Sequence, residues 1–259
     1  MPNHVINELR IECTPPRLEE ILQTVQADPD PGDARTGYGT VDFNKLIPMP
    51  EELNIEASSR TFHAMEVYLT ALNPHADWFG DREEKLSEKD FEELLRKTNG
   101  DRLFTTHKGD LPATALEETA PGWTTEEMLA LGRQAVGNLL KYGASTWYEW
   151  RTDPDNWNTK WNAYDCRYEG DGVLRFETAW TAPHPVIRAL AERFPDASFT
   201  HAWADEDIGY NCGRCRYAGG RLTEEYEPEN REEATRFGED LWEETGDETV
   251  FLSDPKISM

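Results

Sequence analysis

Four cysteines, at positions 13, 166, 212 and 215 of a 259-residue chain, are too few and too scattered for a disulfide framework. No stretch approaches the ~20 apolar residues that a bilayer span needs. The opening MPNHVINELRIECT has no basic segment followed by an apolar one, so it does not read as a secretory leader, and a cytoplasmic location is expected. Bases are scarce as well: 26 Lys and Arg stand against 51 Asp and Glu, a formal net charge of −25. A field of that sign repels phosphate backbones and anionic membranes, which makes nucleic acid an unlikely partner. The six histidines, at 4, 63, 75, 107, 184 and 201, do not form HExxH, and neither G-x-S-x-G, a P-loop nor G-x-G-x-x-G occurs. No catalytic, cofactor or metal fingerprint is left to assign, and no internal repeat is visible.

Aromatic residues are plentiful: they make up 11% of the chain and include nine tryptophans. A disordered acidic chain would lack them, because it could not bury enough apolar surface to offset chain entropy. The charge is uneven. Between Thr223 and Asp254 thirteen acids accompany only Arg231 and Arg236, a net −11. Such a run is either a solvated face or a surface that docks on a basic partner.

Periodicity gives the elements. His4 to Cys13 alternates, with Val5, Leu9, Ile11 and Cys13 on one side and Asn7 interrupting it. Leu18, Ile21, Leu22 and Val25 form a helical stripe after Pro15 and Pro16, and Tyr38 to Ile47 reads as a strand. Met65, Tyr68, Leu69 and Leu72 predict a helix, as do Phe91, Leu94 and Leu95. Thr124 with Glu127 is a capping-box pattern ahead of Met128, Leu131, Ala135 and Leu139. Gly100 to Gly122 reads as an irregular connection. Further on, strands are expected over Val173–Trp180, Ser198–Ala204, Ile208–Tyr217 and Thr249–Leu252. Helices are expected after Pro183 and Pro185 (Val186, Ile187, Leu190, Phe194) and over Glu229–Glu244. The resulting order, β-α-β-β-α-β, is ferredoxin-like and would place both helices on one sheet face. The fold class is therefore α+β: a ferredoxin-like C-terminal unit over 144–259, preceded by a smaller α+β unit with a helical middle over 1–143. The boundary is expected near Lys141 to Thr146, at the Gly143-Ala144-Ser145 break.

Two stretches carry a resemblance. MPNHVINELRIE with VDFNKLIPMPEEL resembles the N-terminal domain of the YubB/Api-type proteins of phages, plasmids and genomic islands. WYEWRTDPDNWNTKWNAYD, FETAWTAPHPVI and WADEDIGYNCG are similar to that family's ferredoxin-like C-terminal domain. The resemblance implies a fold and a mobile-element habitat, and no reaction. Where that family tends to read Trp-Gly-Thr-Lys-Trp, Asn158 stands in this chain, and Asn is the residue after glycine that best tolerates positive φ.

Candidate ligand-binding residues come from two places. Trp147, Tyr148, Trp150, Trp157, Trp161 and Tyr164 fall within eighteen residues. They are either core or the wall of a pocket that Lys160 and Asn162 would orient, joined by Trp180 and Trp203. The acidic corner Asp205, Glu206, Asp207, with Asn211 beyond it, has the composition of an ordinary turn, and Asp205 and Asp207 could also offer oxygen ligands to a cation. Cys212-Gly213-Arg214-Cys215 has C-x-x-C spacing, but its thiols meet only if Gly213 turns, and no second pair exists to close a zinc site. His201, alternating with Phe199 and Trp203, reads as an interior or pocket residue.

The function expected is that of a non-enzymatic acidic adaptor or inhibitor of a mobile element, acting on a host or element-encoded protein with a basic surface. The alternative is a small-molecule-binding or metal-dependent enzyme with a Trp-rich pocket. A nucleic-acid binder using an open sheet face is weaker, with only Arg214, Arg216 and Arg221 to supply a basic patch.

Overall fold

A computed structural model describes residues 2–30, 36–72 and 124–243. The strands are β1 (His4–Glu12), β2 (Tyr164–Gly170), β3 (Val173–Ala179), β4 (Ser198–Asp205), β5 (Cys212–Ala218) and β6 (Arg221–Tyr226). The helices are α1 (Pro15–Val25), α2 (Ser59–Leu72), α3 (Thr125–Tyr142), α4 (Trp147–Thr152), α5 (His184–Arg193) and α6 (Arg231–Glu243). Among the described residues no helix is long and apolar enough to cross a membrane. The helix expected around Phe91, the connection Gly100 to Gly122 and the closing strand Thr249–Leu252 lie outside the described residues.

The six strands form one antiparallel sheet in the order β2-β3-β1-β4-β5-β6. The N-terminal strand is thus central, held by β3 on one side and β4 on the other, with Asn7 opposite both Phe176 and Trp203. A central strand is covered on two faces, and for that reason Ile6 and Glu8 are buried as well as Val5, Asn7, Leu9 and Ile11. The ferredoxin-like βαββαβ core runs β1-α1-β2-β3-α5-β4, with its four strands in the order β2-β3-β1-β4. The expected division at residue 143 is corrected accordingly. One compact unit joins Met1–Pro48 to Pro154–Met259, and the other is Met49–Asp153. Pairing across ~200 residues of sequence leaves no local trace, so the break at Gly143 looked like the boundary.

α1 and α5 share the face that carries Leu9, Leu174, Phe176 and Phe199. Arg17 ties the two together, bonding Asp196 at 2.8 Å and lying 5.8 Å from the Phe194 ring. α6 takes the opposite face, where Ala234 and Leu241 pack on Ile6, Ala204 and Cys212. The expectation of two helices on one face therefore holds for α1 and α5 and fails for α6. Beyond α6 that second face is filled by charge: Arg175, buried, pairs with buried Glu8 and lies 3.1 Å from Glu169, while Arg10 bonds Glu8 at 2.6 Å.

Tyr38 to Ile47 is not a strand. The Asp42 carboxylate accepts from the Asn44 N–H at 3.0 Å, an Asx turn that starts a single 3₁₀ turn over Phe43–Lys45. This delivers Phe43 into the core, edge-on to Trp157 and Phe176. β2 and β6 were missed. β2 alternates without apolar residues on its outer side, and β6, RLTEEY, is exposed along its whole length.

The second unit is helical. The Thr124–Glu127 capping box forms as expected. α2 and α3 pack through Met65, Ala135, Val136 and Leu139. They approach most closely at Gly132, where an added Cβ would sit 1.9 Å from the Ala64 carbonyl oxygen. Only glycine leaves room for that contact.

Candidate functional site

The aromatic segment splits on folding. Trp157 is fully buried, and its indole N–H donates to the Ile47 carbonyl at 2.9 Å. Asn162 accepts from the Phe43 N–H at 2.9 Å and donates to the Asp42 carboxylate at 2.8 Å. Both side chains thus tie down the segment Asp42–Ile47. Lys160, Trp161, Tyr164 and Trp180 do converge, at the end of the sheet where β3 stops. The Lys160 ammonium lies 5.1 Å from the Trp161 ring and 4.9 Å from that of Trp180, and the two indoles are 36% and 38% exposed.

Trp180 holds a left-handed φ of 73°, a position that a bulky side chain rarely takes. The surrounding turn fixes it. The Trp180 N–H donates to Asn3 O at 2.9 Å, and its carbonyl accepts from the Asn211 amide at 3.0 Å. The Thr159 hydroxyl donates to Ala179 O at 2.7 Å, and the Asn158 amide donates to Ala182 O at 3.0 Å. Asn158 itself has φ 59°, a conformation that asparagine tolerates better than other non-glycine residues. Beside this turn the Tyr164 hydroxyl lies 2.8 Å from His4 Nδ1 and donates to Thr178 O at 3.0 Å. Burial raises the Tyr164 pKa, and the negative charges of Glu177, Asp165 and Glu206 raise it further. Glu177 is also raised by burial and by Asp165, against the pull of His4 at 3.2 Å.

The acidic corner is a turn. The Asp205 carboxylate accepts from Asn3 at 3.0 Å, from the Asp207 N–H at 2.9 Å and from Asn211 at 3.2 Å, while Asp207 points to solvent. Among the described residues no three His, Cys, Asp or Glu side chains are grouped to hold a metal. The cysteines separate too. Cys212 faces α6 and Cys215 lies opposite His201 on the other face, both as buried free thiols. Gly213 does not turn between them. An added Cβ there would lie 2.7 Å from the Trp203 ring, so this glycine makes room for the indole.

His201 is fully buried. Its Nε2 lies 3.0 Å from Asn7 Oδ1, and Asn7 donates through Nδ2 to Val5 O and to the Thr178 hydroxyl, both at 2.9 Å. Because Asn7 Nδ2 faces two acceptors, its oxygen faces His201, and His201 carries its proton on Nε2. Burial, and then the neighbouring His184, push the His201 pKa well below its ordinary value. Trp203 stacks edge-on to His184 with ring centres 4.5 Å apart.

Trp203 and His184 floor a cleft of about 440 Å³ between the β4–β5 loop and the start of α6, which also includes Asn211. Tyr210, Glu227, Asn230 and Arg231 form its walls. Of these, only Trp203 and Asn211 belong to the set singled out from sequence. The others come from α5, the β4–β5 loop, the β6–α6 loop and α6, and share no motif that could have flagged them.

An antiparallel ferredoxin-like sheet with helices on both faces defines the class, an α+β fold. Residues 156–250 match the family model described as a ferredoxin-like domain in Api92-like protein. The crystal structure of protein api92 from Yersinia pseudotuberculosis is similar at 12% identity over 88% of this chain and 98% of that one, with a TM-score of 0.40. No curated protein matches the chain.

Proposed function

We propose that this chain is a non-enzymatic acidic binding protein, an adaptor or inhibitor of a mobile genetic element, that docks on a host or element-encoded protein with a basic surface. The observation that carries it is the surface formed by β6 and α6. From Glu224 to Glu243 there are nine acids and two arginines, and every acid but half-buried Glu233 is exposed. The ion pairs along it are long, Arg216–Glu224 and Arg236–Glu232 at 4.0 Å each. Ala234 and Leu241 anchor the other side of α6, so the charge is presented on a fixed helix. Unneutralised carboxylates in a row steer a cationic partner and reject an anionic one.

Glu232, Glu239, Asp240 and Glu243 changed together to glutamine provide the test. Cross-linking in cells followed by mass spectrometry should recover basic partners with the native chain and lose them with the variant. Purified partner should bind more weakly as salt rises, because exposed charges are screened beyond ~10 Å at 0.1 M. Identical partner lists from a variant with unchanged circular dichroism would sink the proposal.

A further inference from the structure

The polar groups of this protein fall into two sets. Those of Asn3, Asn7, Asn162 and Asp205 are bonded within the chain. Around the 440 Å³ cleft, Asn211 is bonded to Trp180 O and Asp205, whereas most of the other polar side chains are not bonded. The Glu227 carboxylate, the Tyr210 hydroxyl, the Asn230 amide N–H groups and the His184 ring nitrogens have no hydrogen bond or ion pair among the described residues. Arg231 has no carboxylate partner there either. Its guanidinium lies 5.0 Å from the Tyr210 ring, a stack that leaves its in-plane N–H donors available. Unpaired polar groups that converge on a concave, partly aromatic surface are what a small-ligand site offers, and 440 Å³ is within the ~300–1,000 Å³ range of such sites.

The lining also sets the chemistry of the ligand. One anionic group, Glu227, and one cationic group, Arg231, stand on the rim. The floor is aromatic, made by Trp203 and His184, and Tyr210 adds an aromatic wall. Burial lowers the pKa of His184 against the nearby Glu227, so the imidazole is a neutral part of that floor near pH 7. A ligand that satisfies both charges and covers the floor has an ammonium group, a carboxylate and an apolar side chain. We propose that the cleft binds a short zwitterion, a free amino acid or dipeptide with an aromatic or aliphatic side chain. Its ammonium group sits against Glu227, its carboxylate against Arg231, and its side chain on Trp203 and Tyr210. Asn230 and the Tyr210 hydroxyl add the orienting hydrogen bonds.

The cleft shares Glu227 and Arg231 with the acidic docking surface, and the test separates the two through acids that do not line the cleft. Isothermal titration of the full chain uses phenylalanine, leucine and the dipeptide Leu-Phe, each compared with its N-acetyl and C-amide forms. Binding is expected for the free forms, with a loss of about tenfold or more when either end is blocked, as removal of one charge-assisted bond implies. Preference for the amino acids over the dipeptide, or the reverse, identifies the natural length. Glu227→Gln should abolish the penalty for N-acetylation, and Arg231→Gln the penalty for the C-terminal amide. Both side chains are exposed, so the variants should keep the native circular dichroism. The variant neutralised at Glu232, Glu239, Asp240 and Glu243 should bind the zwitterion as the native chain does. No binding of any free form at millimolar concentration, or equal binding of free and blocked forms, would overturn the proposal.

Discussion

Histidine carries the clearest titration at the scale of single residues. His184 and His201 both have pKa values pushed below 6.5, chiefly by burial, with Glu227 opposing the shift at His184 and His184 reinforcing it at His201. A base with a depressed folded pKa binds its proton more readily in the unfolded chain. Its contribution to stability is therefore complete above ~6.5 and is lost as pH falls through the folded value. Glu177 runs the other way. Its raised pKa gives stability that is present below 4.5 and lost as pH rises through the folded value. Comparison of variants at equal pH cancels that term. Urea midpoints between about pH 8 and pH 5 should fall with acid in the native chain and fall less in His184→Gln. Equal slopes would show that His184 is solvated in the fold.

Among the elements, the contact between α2 and α3 is decided at a single position. Gly132 faces the Ala64 carbonyl, whereas Gly137, in the same helix, would place a Cβ with no atom within 4 Å. The two glycines thus predict opposite signs. Gly132→Ala should destabilise by about 1–3 kcal/mol through overpacking. Gly137→Ala should stabilise by about 0.5–1 kcal/mol, because alanine is the better helix former. Denaturant titration of both checks this, and a neutral Gly132→Ala would mean that the helices stand further apart than described. The elements also differ in how openly the sequence announces them. The Thr124–Glu127 capping box and the alternation of β1 are local patterns with one physical meaning. The segment Tyr38–Ile47 alternates too, yet the Asx turn at Asp42 and the bond from Asn162 to the Phe43 N–H redirect it.

For the whole molecule the decisive fact is the position of β1. A fragment spanning 144–259 lacks the strand between β3 and β4, which would leave two sheet edges and the side chains of Leu174, Phe176 and Phe199 without their partners. Expressed alone it should show no cooperative unfolding transition. A fragment in which 1–48 is joined to 154–259 by a flexible linker should fold. Nuclear magnetic resonance dispersion or calorimetry distinguishes the two, and a well-folded 144–259 would contradict the sheet order.

The sequence by itself determined the class, α+β, and placed most helices and four strands, because hydrophobic period and capping chemistry act over a few residues. It also placed the last helix over Glu229–Glu244, in which Ala234 and Leu241 are buried and every acid of α6 but half-buried Glu233 is exposed. Tertiary structure decided which strands make the ferredoxin-like core, since β1 pairs with β3 and β4, which lie far along the chain. It also decided the site. Trp157 and Asn162 were attractive candidates until Ile47, Asp42 and Phe43 were seen to occupy their polar atoms. His184, Tyr210, Glu227 and Arg231 were unremarkable until the fold left them around one cleft. Local pattern reports what a residue prefers, and only the packed fold shows which polar groups still lack a partner.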